Sequence, residues 1–214
     1  MIPRILSVGL TGGIACGKSV VTCELGRLGA IILDADEMVH KLLGPGGAAC
    51  QPVVERFGED ILDSRGRIDR ALLGRRVFAD PRERWALNGI VHPLVMQEEE
   101  RLLREIQLLG EEQLVITDAA LIVESGAHKR FDRLVVVFCS PENQLQRLME
   151  RDQLPQHQAL SRIQSQMTAE EKIALADYTV ETDGSEKETL DQARQLYRKL
   201  QGDMVEPGGK NSAA

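Results

Sequence analysis

The chain has 214 residues, 43% of them apolar and 28% charged, which is enough to bury a core and lies within the ordinary globular range. Its formal net charge of −7 argues against broad binding to nucleic acid or to an anionic membrane surface, because phosphates would be repelled over most of the molecule. No apolar run approaches the roughly 18 residues that span a bilayer, and the N-terminus has no apolar segment with a signal-peptide cleavage site. Cys16, Cys23, Cys50 and Cys139 show no CxxC spacing and read as reduced thiols, which suits a cytoplasmic protein.

Short runs that are apolar at consecutive positions read as strands covered on both faces, the pattern of a parallel sheet. The first covers 5–10 and runs through a glycine-rich turn into a helix over 18–28. The second covers 30–33. From 36 to 110 there is helical pattern only, broken at Gly44 to Gly47, 63–66, Asp80-Pro81 and His92-Pro93. Pro81 and Pro93 each suit the first position of a helix, after Asp80 and His92. Within this insertion Trp85, the one tryptophan, is expected to pack the core, and Glu98-Glu99-Glu100 to form an exposed face. Strands over 114–117 and 134–139 follow. Ser140 can cap a helix with Pro141 at its first position, opening a stretch that carries Arg147, Arg151 and Arg162. A weaker strand over 178–181 precedes a last helix striped by Leu190, Ala193, Leu196, Tyr197 and Leu200. The expected plan is an α/β P-loop NTPase of the nucleotide-kinase type, three-layer α/β/α with a mostly parallel sheet. Its core takes 1–36, 111–142 and 172–205, its helical substrate-side insertion 37–110 and its lid 143–171. A frayed tail is expected over 206–214.

Gly12-Gly13-Ile14-Ala15-Cys16-Gly17-Lys18-Ser19 fits GxxxxGK[ST], which average composition would produce by chance in about one chain in a hundred of this length. Its setting between a strand and a helix sharpens the match. Glycines let backbone N–H groups turn inward at a helix N-terminus and make an anion site. Lys18 supplies a point charge to β- and γ-phosphates, and the Ser19 hydroxyl can ligate Mg²⁺. Val20 contributes a backbone N–H. Cys16 has no partner thiol evident in the sequence and reads as a small residue of the loop.

In open α/β sheets ligands sit beyond the carboxyl ends of the strands, which is where Asp34, Asp36 and Asp118 fall. Asp36 suits the proton acceptor for an attacking hydroxyl, or a helix N-cap, or both. Asp118 could hold Mg²⁺ through water or cap a turn. Arg75, Arg76, Arg82 and Arg84 could meet a phosphorylated acceptor, most of them lying on solvated helix faces.

With these residues in place the chain resembles the dephospho-coenzyme A kinase family from about 6 to about 200. The resemblance lies in Thr11-Gly12-Gly13-Ile14, Leu33-Asp34-Ala35-Asp36, Phe57-Gly58, Gly66-Arg67-Ile68-Asp69-Arg70 and Ile90-Val91-His92-Pro93-Leu94. It continues through Leu121-Ile122-Val123-Glu124, Gln144-Leu145-Gln146-Arg147, Arg162-Ile163 with Gln166, and Ala176-Asp177. The resemblance implies an ATP-dependent kinase acting on the ribose 3′-hydroxyl of dephospho-coenzyme A. Gly13, Ile14, Ala15, Cys16, Gly17, Lys18, Ser19 and Val20 would bind ATP, and Asp36 would be the general base. Arg147 would stabilise transferred charge from a lid; Thr11, His92 and Glu124 would lie on the acceptor side; and the insertion would bind coenzyme A. It further implies ATP and Mg²⁺, small-molecule partners alone, and a monomer with weak self-association left open. Two positions depart from the family pattern: Ala119-Ala120 stands where proline precedes the Leu-Leu-x-Glu segment, and Thr182-Asp183-Gly184 where asparagine often precedes glycine. A nucleoside-monophosphate kinase would share loop and lid, but the long insertion with its His-Pro segment favours the larger acceptor. A guanine-nucleotide switch would carry Asn-Lys-x-Asp, which the chain lacks.

Overall fold

A computed structural model describes residues 5–205, so the expectation of a frayed tail lies outside the described residues. Strands β1 (Ile5–Gly12), β2 (Ile31–Asp34), β3 (Gln113–Asp118), β4 (Arg133–Phe138) and β5 (Tyr178–Glu181) form one sheet in the order β2-β3-β1-β4-β5. β1 pairs in parallel with β3 and with β4, and β4 in parallel with β5. β1 runs beyond its apolar stretch because Thr11 and Gly12 still pair with Val136 and Val137.

Pleating sends alternate residues to opposite faces. Leu6, Val8, Leu10, Leu114, Ile116, Val135, Val137 and Val180 meet Val21 and Leu25 of α1 (Lys18–Arg27) and Ala193, Leu196 and Leu200 of α9 (Glu186–Val205). Leu25 is fully buried there, and its truncation to Ala costs about 2–5 kcal/mol. On the other face Leu134 and Val136 pack with Ile122, Val123, Phe131, Met167 and Ile173, the last from the short helix α8 (Ala169–Ile173). Helical segments therefore cover both faces, giving the three-layer P-loop kinase fold.

The chain divides into two compact units. One contains the described residues up to Leu33 together with those from Leu109 onward, and the other is Asp34–Leu108. The second unit is helical, with α2 (Ala35–Leu43), α3 (Cys50–Phe57), α4 (Arg70–Ala79) and α5 (Pro81–Leu108). Its core gathers Leu43, Val53, Phe57, Ile61, Ile68, Leu73, Val77 and Val91. Asp69 caps α4 by accepting from Ala71 and Leu72 N–H at 2.9 and 3.0 Å.

Three expectations for this unit are corrected. Pro93 does not start a helix. It lies inside α5, where it removes the N–H that would reach the Gly89 carbonyl. Trp85 is 79% exposed rather than packed in the core. The inward stripe of α5 carries Leu87, Val91 and Leu94, and Trp85, two residues before Leu87, falls about 200° around the helix from it. Glu99 is buried, because it continues the four-residue spacing of Val91 and Val95 onto the inward face.

Candidate active site

The phosphate loop leaves β1 at Gly12 and enters α1 at Lys18. Ala15 and Gly17 both have left-handed backbones, with φ of 61° and 74°. For Gly17 this is free; for Ala15 it costs about 1–2 kcal/mol and persists only because the surroundings hold it. Those surroundings are visible. Cys16 N–H donates to the Gly13 carbonyl at 3.2 Å, and the Gln144 amide donates to the Ile14 carbonyl at 2.9 Å. Ile14 N–H donates to Gln166 Oε1 at 2.8 Å, and Thr182 Oγ1 donates to the Cys16 carbonyl at 2.9 Å. Gly12 is required for close approach, since a Cβ there would collide with the Val137 carbonyl oxygen. The result is a curled loop at a helix N-terminus, the form of an anion site.

Lys18 forms an ion pair with Asp118 at the end of β3. Asp118 is held from its other oxygen by the Thr22 hydroxyl at 2.8 Å, so the carboxylate is fixed beside the loop. Neither turn capping nor a free carboxylate describes it. Ser19 is exposed in the first turn of α1. Arg147 lies on α6 (Pro141–Asp152) and forks onto Thr182, donating to its Oγ1 at 3.0 Å and its carbonyl at 2.6 Å. Thr182 thus joins the arginine to the loop through one residue.

Asp183, one of the two departures from the family pattern, accepts from Ser140 N–H at 2.8 Å, Ser140 Oγ at 2.9 Å and Asn143 Nδ2 at 2.8 Å. These donors, the Asn143 amide foremost, hold its carboxyl below the usual range. It secures the start of α6. At the other departure, the Ala120 carbonyl accepts from the Thr11 hydroxyl at 3.0 Å and from Lys172 Nζ at 3.1 Å. Lys172 is only 1% exposed and pairs with Glu124 Oε1 at 2.8 Å, to which Met167 N–H also donates at 3.2 Å. Glu124 Oε2 is buried and finds no partner among the described residues.

The core unit therefore brings together the loop, Lys18, Ser19, Arg147, Thr11 and Glu124. Asp36 and His92 belong to the helical unit. Asp36 is exposed in the first turn of α2. Capping of α2 falls to Asp34, which accepts from Glu37 N–H at 2.9 Å, so the cap expected of Asp36 sits two residues earlier. His92 is exposed on α5, and the protein packed about its ring holds its pKa below the ordinary imidazole value.

Sequence reasoning missed several members of this site. Gln144, Gln166 and Thr182 appear in the sequence only as family-motif positions with no role assigned, and Thr22 and Lys172 carry no signal, because each acts on the loop or its support through a partner distant in the chain. A partner thiol for Cys16 was also missed. Cys139, just past β4, places its Sγ 3.5 Å from Cys16 Sγ, with both thiols free and buried.

The model of the dephospho-CoA kinase family matches residues 6–188, a span that includes the loop, Asp36, His92, Glu124, Arg147 and Asp183. The chain belongs to the dephospho-CoA kinase family. A dephospho-CoA kinase of Syntrophotalea carbinolica is 38% identical over 203 residues, covering 95% of this chain and 96% of its own. A dephospho-CoA kinase domain-containing protein of Danio rerio is 41% identical over 196 residues, covering 90% of this chain and 84% of its own. A Thermus thermophilus protein of known crystal structure superposes with a TM-score of 0.77 at 31% identity, over 92% of this chain and 97% of that one. As a dephospho-CoA kinase the chain phosphorylates dephospho-CoA to CoA.

Proposed function

We propose that the phosphate donor is ATP, that the phosphate goes to the ribose 3′-hydroxyl, and that the residues above divide the work as follows. What carries the reading is the curled loop at 13–20 with Lys18 paired to a fixed Asp118. Loop N–H groups cradle the triphosphate, and Lys18 turns from Asp118 to the β- and γ-phosphates. Ser19 and the Asp118 carboxylate are hard oxygen donors that fit Mg²⁺, Asp118 acting through water. Mg²⁺ held there would supply charge neutralisation to the bound phosphates. Asp36, whose carboxylate no hydrogen bond or ion pair engages among the described residues, takes the proton of the attacking hydroxyl.

Arg147 releases Thr182 and stabilises charge on the transferred group, as an arginine supplied in cis can. The lid over 143–171, tied to the loop by Gln144 and Gln166, excludes water. The helical insertion over 37–110, with His92, receives dephospho-CoA, while Thr11 and Glu124 shape the acceptor side from the core. The protein works in the cytoplasm as a monomer. The test is an acceptor panel. With ATP and Mg²⁺ the purified protein should convert dephospho-CoA, and activity confined to AMP, CMP or uridine nucleotides would contradict the assignment.

A further inference from the structure

We propose that Cys16 and Cys139 form a reversible intramolecular disulfide that closes the phosphate loop to nucleotide. The cross-link stands on geometry alone; its effect on ATP binding rests on the function proposed above.

The two sulfurs are 3.5 Å apart, and a disulfide needs about 2.05 Å, so an approach of about 1.5 Å joins them. The two sides differ in freedom to move. Cys139 is anchored on both flanks, by the β4–β5 pairing of Phe138 and by the bonds from Ser140 to Asp183. Cys16 sits in the loop, between the left-handed backbones of Ala15 and Gly17. The Cys16 backbone is held by hydrogen bonds, its N–H to Gly13 and its carbonyl to Thr182, whereas Cys139 follows a paired strand, so the loop does the moving. Its displacement toward β4 pulls Cys16 N–H and carbonyl off Gly13 and Thr182, the contacts that shape the anion site.

Chemistry favours Cys16 as the attacking group. The Cys139 S–H donates to Cys16 sulfur, and this, with the charges of Lys172 and Arg147, holds the Cys16 thiol below its ordinary pKa against the opposing effect of burial. Cys139 is held above, first by that same hydrogen bond and then by burial. With a peroxide as oxidant, the Cys16 thiolate attacks one oxygen, the O–O bond breaks, and a sulfenic acid and hydroxide result. Cys139 sulfur then attacks the sulfenic sulfur, the S–O bond breaks, and the departing hydroxide takes up the thiol proton as water. Two thiols are oxidised by two electrons in total, and one peroxide becomes two waters. A dithiol reductant reverses the link by exchange. Both sulfurs are buried, 3% and 5% exposed by residue, so attack requires the loop to open. Bound ATP opposes that opening.

The test is to treat the full chain with hydrogen peroxide, with and without saturating MgATP, and to map thiols by alkylation and mass spectrometry. The expected result is a Cys16–Cys139 linked peptide, a mass loss of two hydrogens, and protection by MgATP. The linked form should bind ATP at least about tenfold more weakly, with recovery in dithiothreitol. Cys139→Ala should bind ATP and turn over normally when reduced, and should never show that mass loss. The proposal is overturned if both thiols still alkylate at a dose that has oxidised the exposed Cys23, if the link runs through Cys23 or Cys50, or if the linked protein binds ATP unchanged. Should the reduced protein fail to bind ATP, the functional reading is lost, and the peptide map still decides whether this pair links.

Discussion

Replacing Glu124 with Leu should destabilise the core unit far more than an exposed ion pair of the same residues would suggest. Lys172 is 1% exposed, and its ammonium is satisfied by Glu124 at 2.8 Å and the Ala120 carbonyl at 3.1 Å. Removing the carboxylate leaves a buried charge with one carbonyl, a loss that typically costs about 3–5 kcal/mol. For a chain of this size that corresponds to a fall in Tm of about 6–20 °C. Lys172→Leu should cost a comparable amount, because Glu124 would keep only the Met167 N–H on one oxygen while its other oxygen is buried without a partner among the described residues. The Glu124→Leu/Lys172→Leu double variant should recover much of the loss, since Thr11 still donates to Ala120. The assay is urea unfolding of all four proteins followed by far-UV circular dichroism, read as a double-mutant cycle. If Glu124→Leu lies within about 1 kcal/mol of the parent, or if the two changes add without coupling, the ammonium is not held as described.

Lys18→Ala should lower kcat by about 10²–10³-fold, because charge neutralisation at the transferred group disappears; steady-state kinetics with dephospho-CoA measure it. Asp36→Asn keeps shape and removes the proton acceptor, so kcat should fall about 10²–10⁴-fold while ATP affinity stays; near-parental turnover would remove Asp36 as the base. Arg147→Ala should cost about 10³-fold, and Arg147→Lys should restore little, since a point charge cannot copy the guanidinium fork. Acid stability should depend on Glu24. Hydrogen bonds from Arg27 first and Arg194 second lower its carboxyl from 4.5 to about 2. A depressed folded-state pKa contributes stability that is full above 4.5 and lost as pH falls toward 2. Thermal scans at descending pH should therefore show a steeper acid decline for the parent than for Glu24→Gln.

The sheet was legible because its signals are local. Apolar runs bounded by glycine and acids gave five strands within a residue or two, and Ser140-Pro141 gave the start of α6. The phosphate loop was legible for the same reason: its residue types are contiguous. The helical unit was harder to read. Pro93 carries the same local signal as Pro81, yet only tertiary packing through Val91 and Leu94 decides that α5 continues past it. Trp85 shows that residue type alone does not fix burial; its angular place on α5 does. The supports of the loop were least visible. Gln144 and Gln166 reach Ile14 across 130 and 152 positions, and Cys139 reaches Cys16 across 123, separations that no spacing rule connects.

On the proposed roles, one phosphoryl group leaves ATP for one hydroxyl of one acceptor. Phosphorus NMR of the product formed from ATP, Mg²⁺ and dephospho-CoA reads out that transfer. A new phosphomonoester on the ribose 3′-oxygen, formed in step with ADP, is expected. Inorganic phosphate released in step with ADP, or a phosphate carried at any other position, would contradict it.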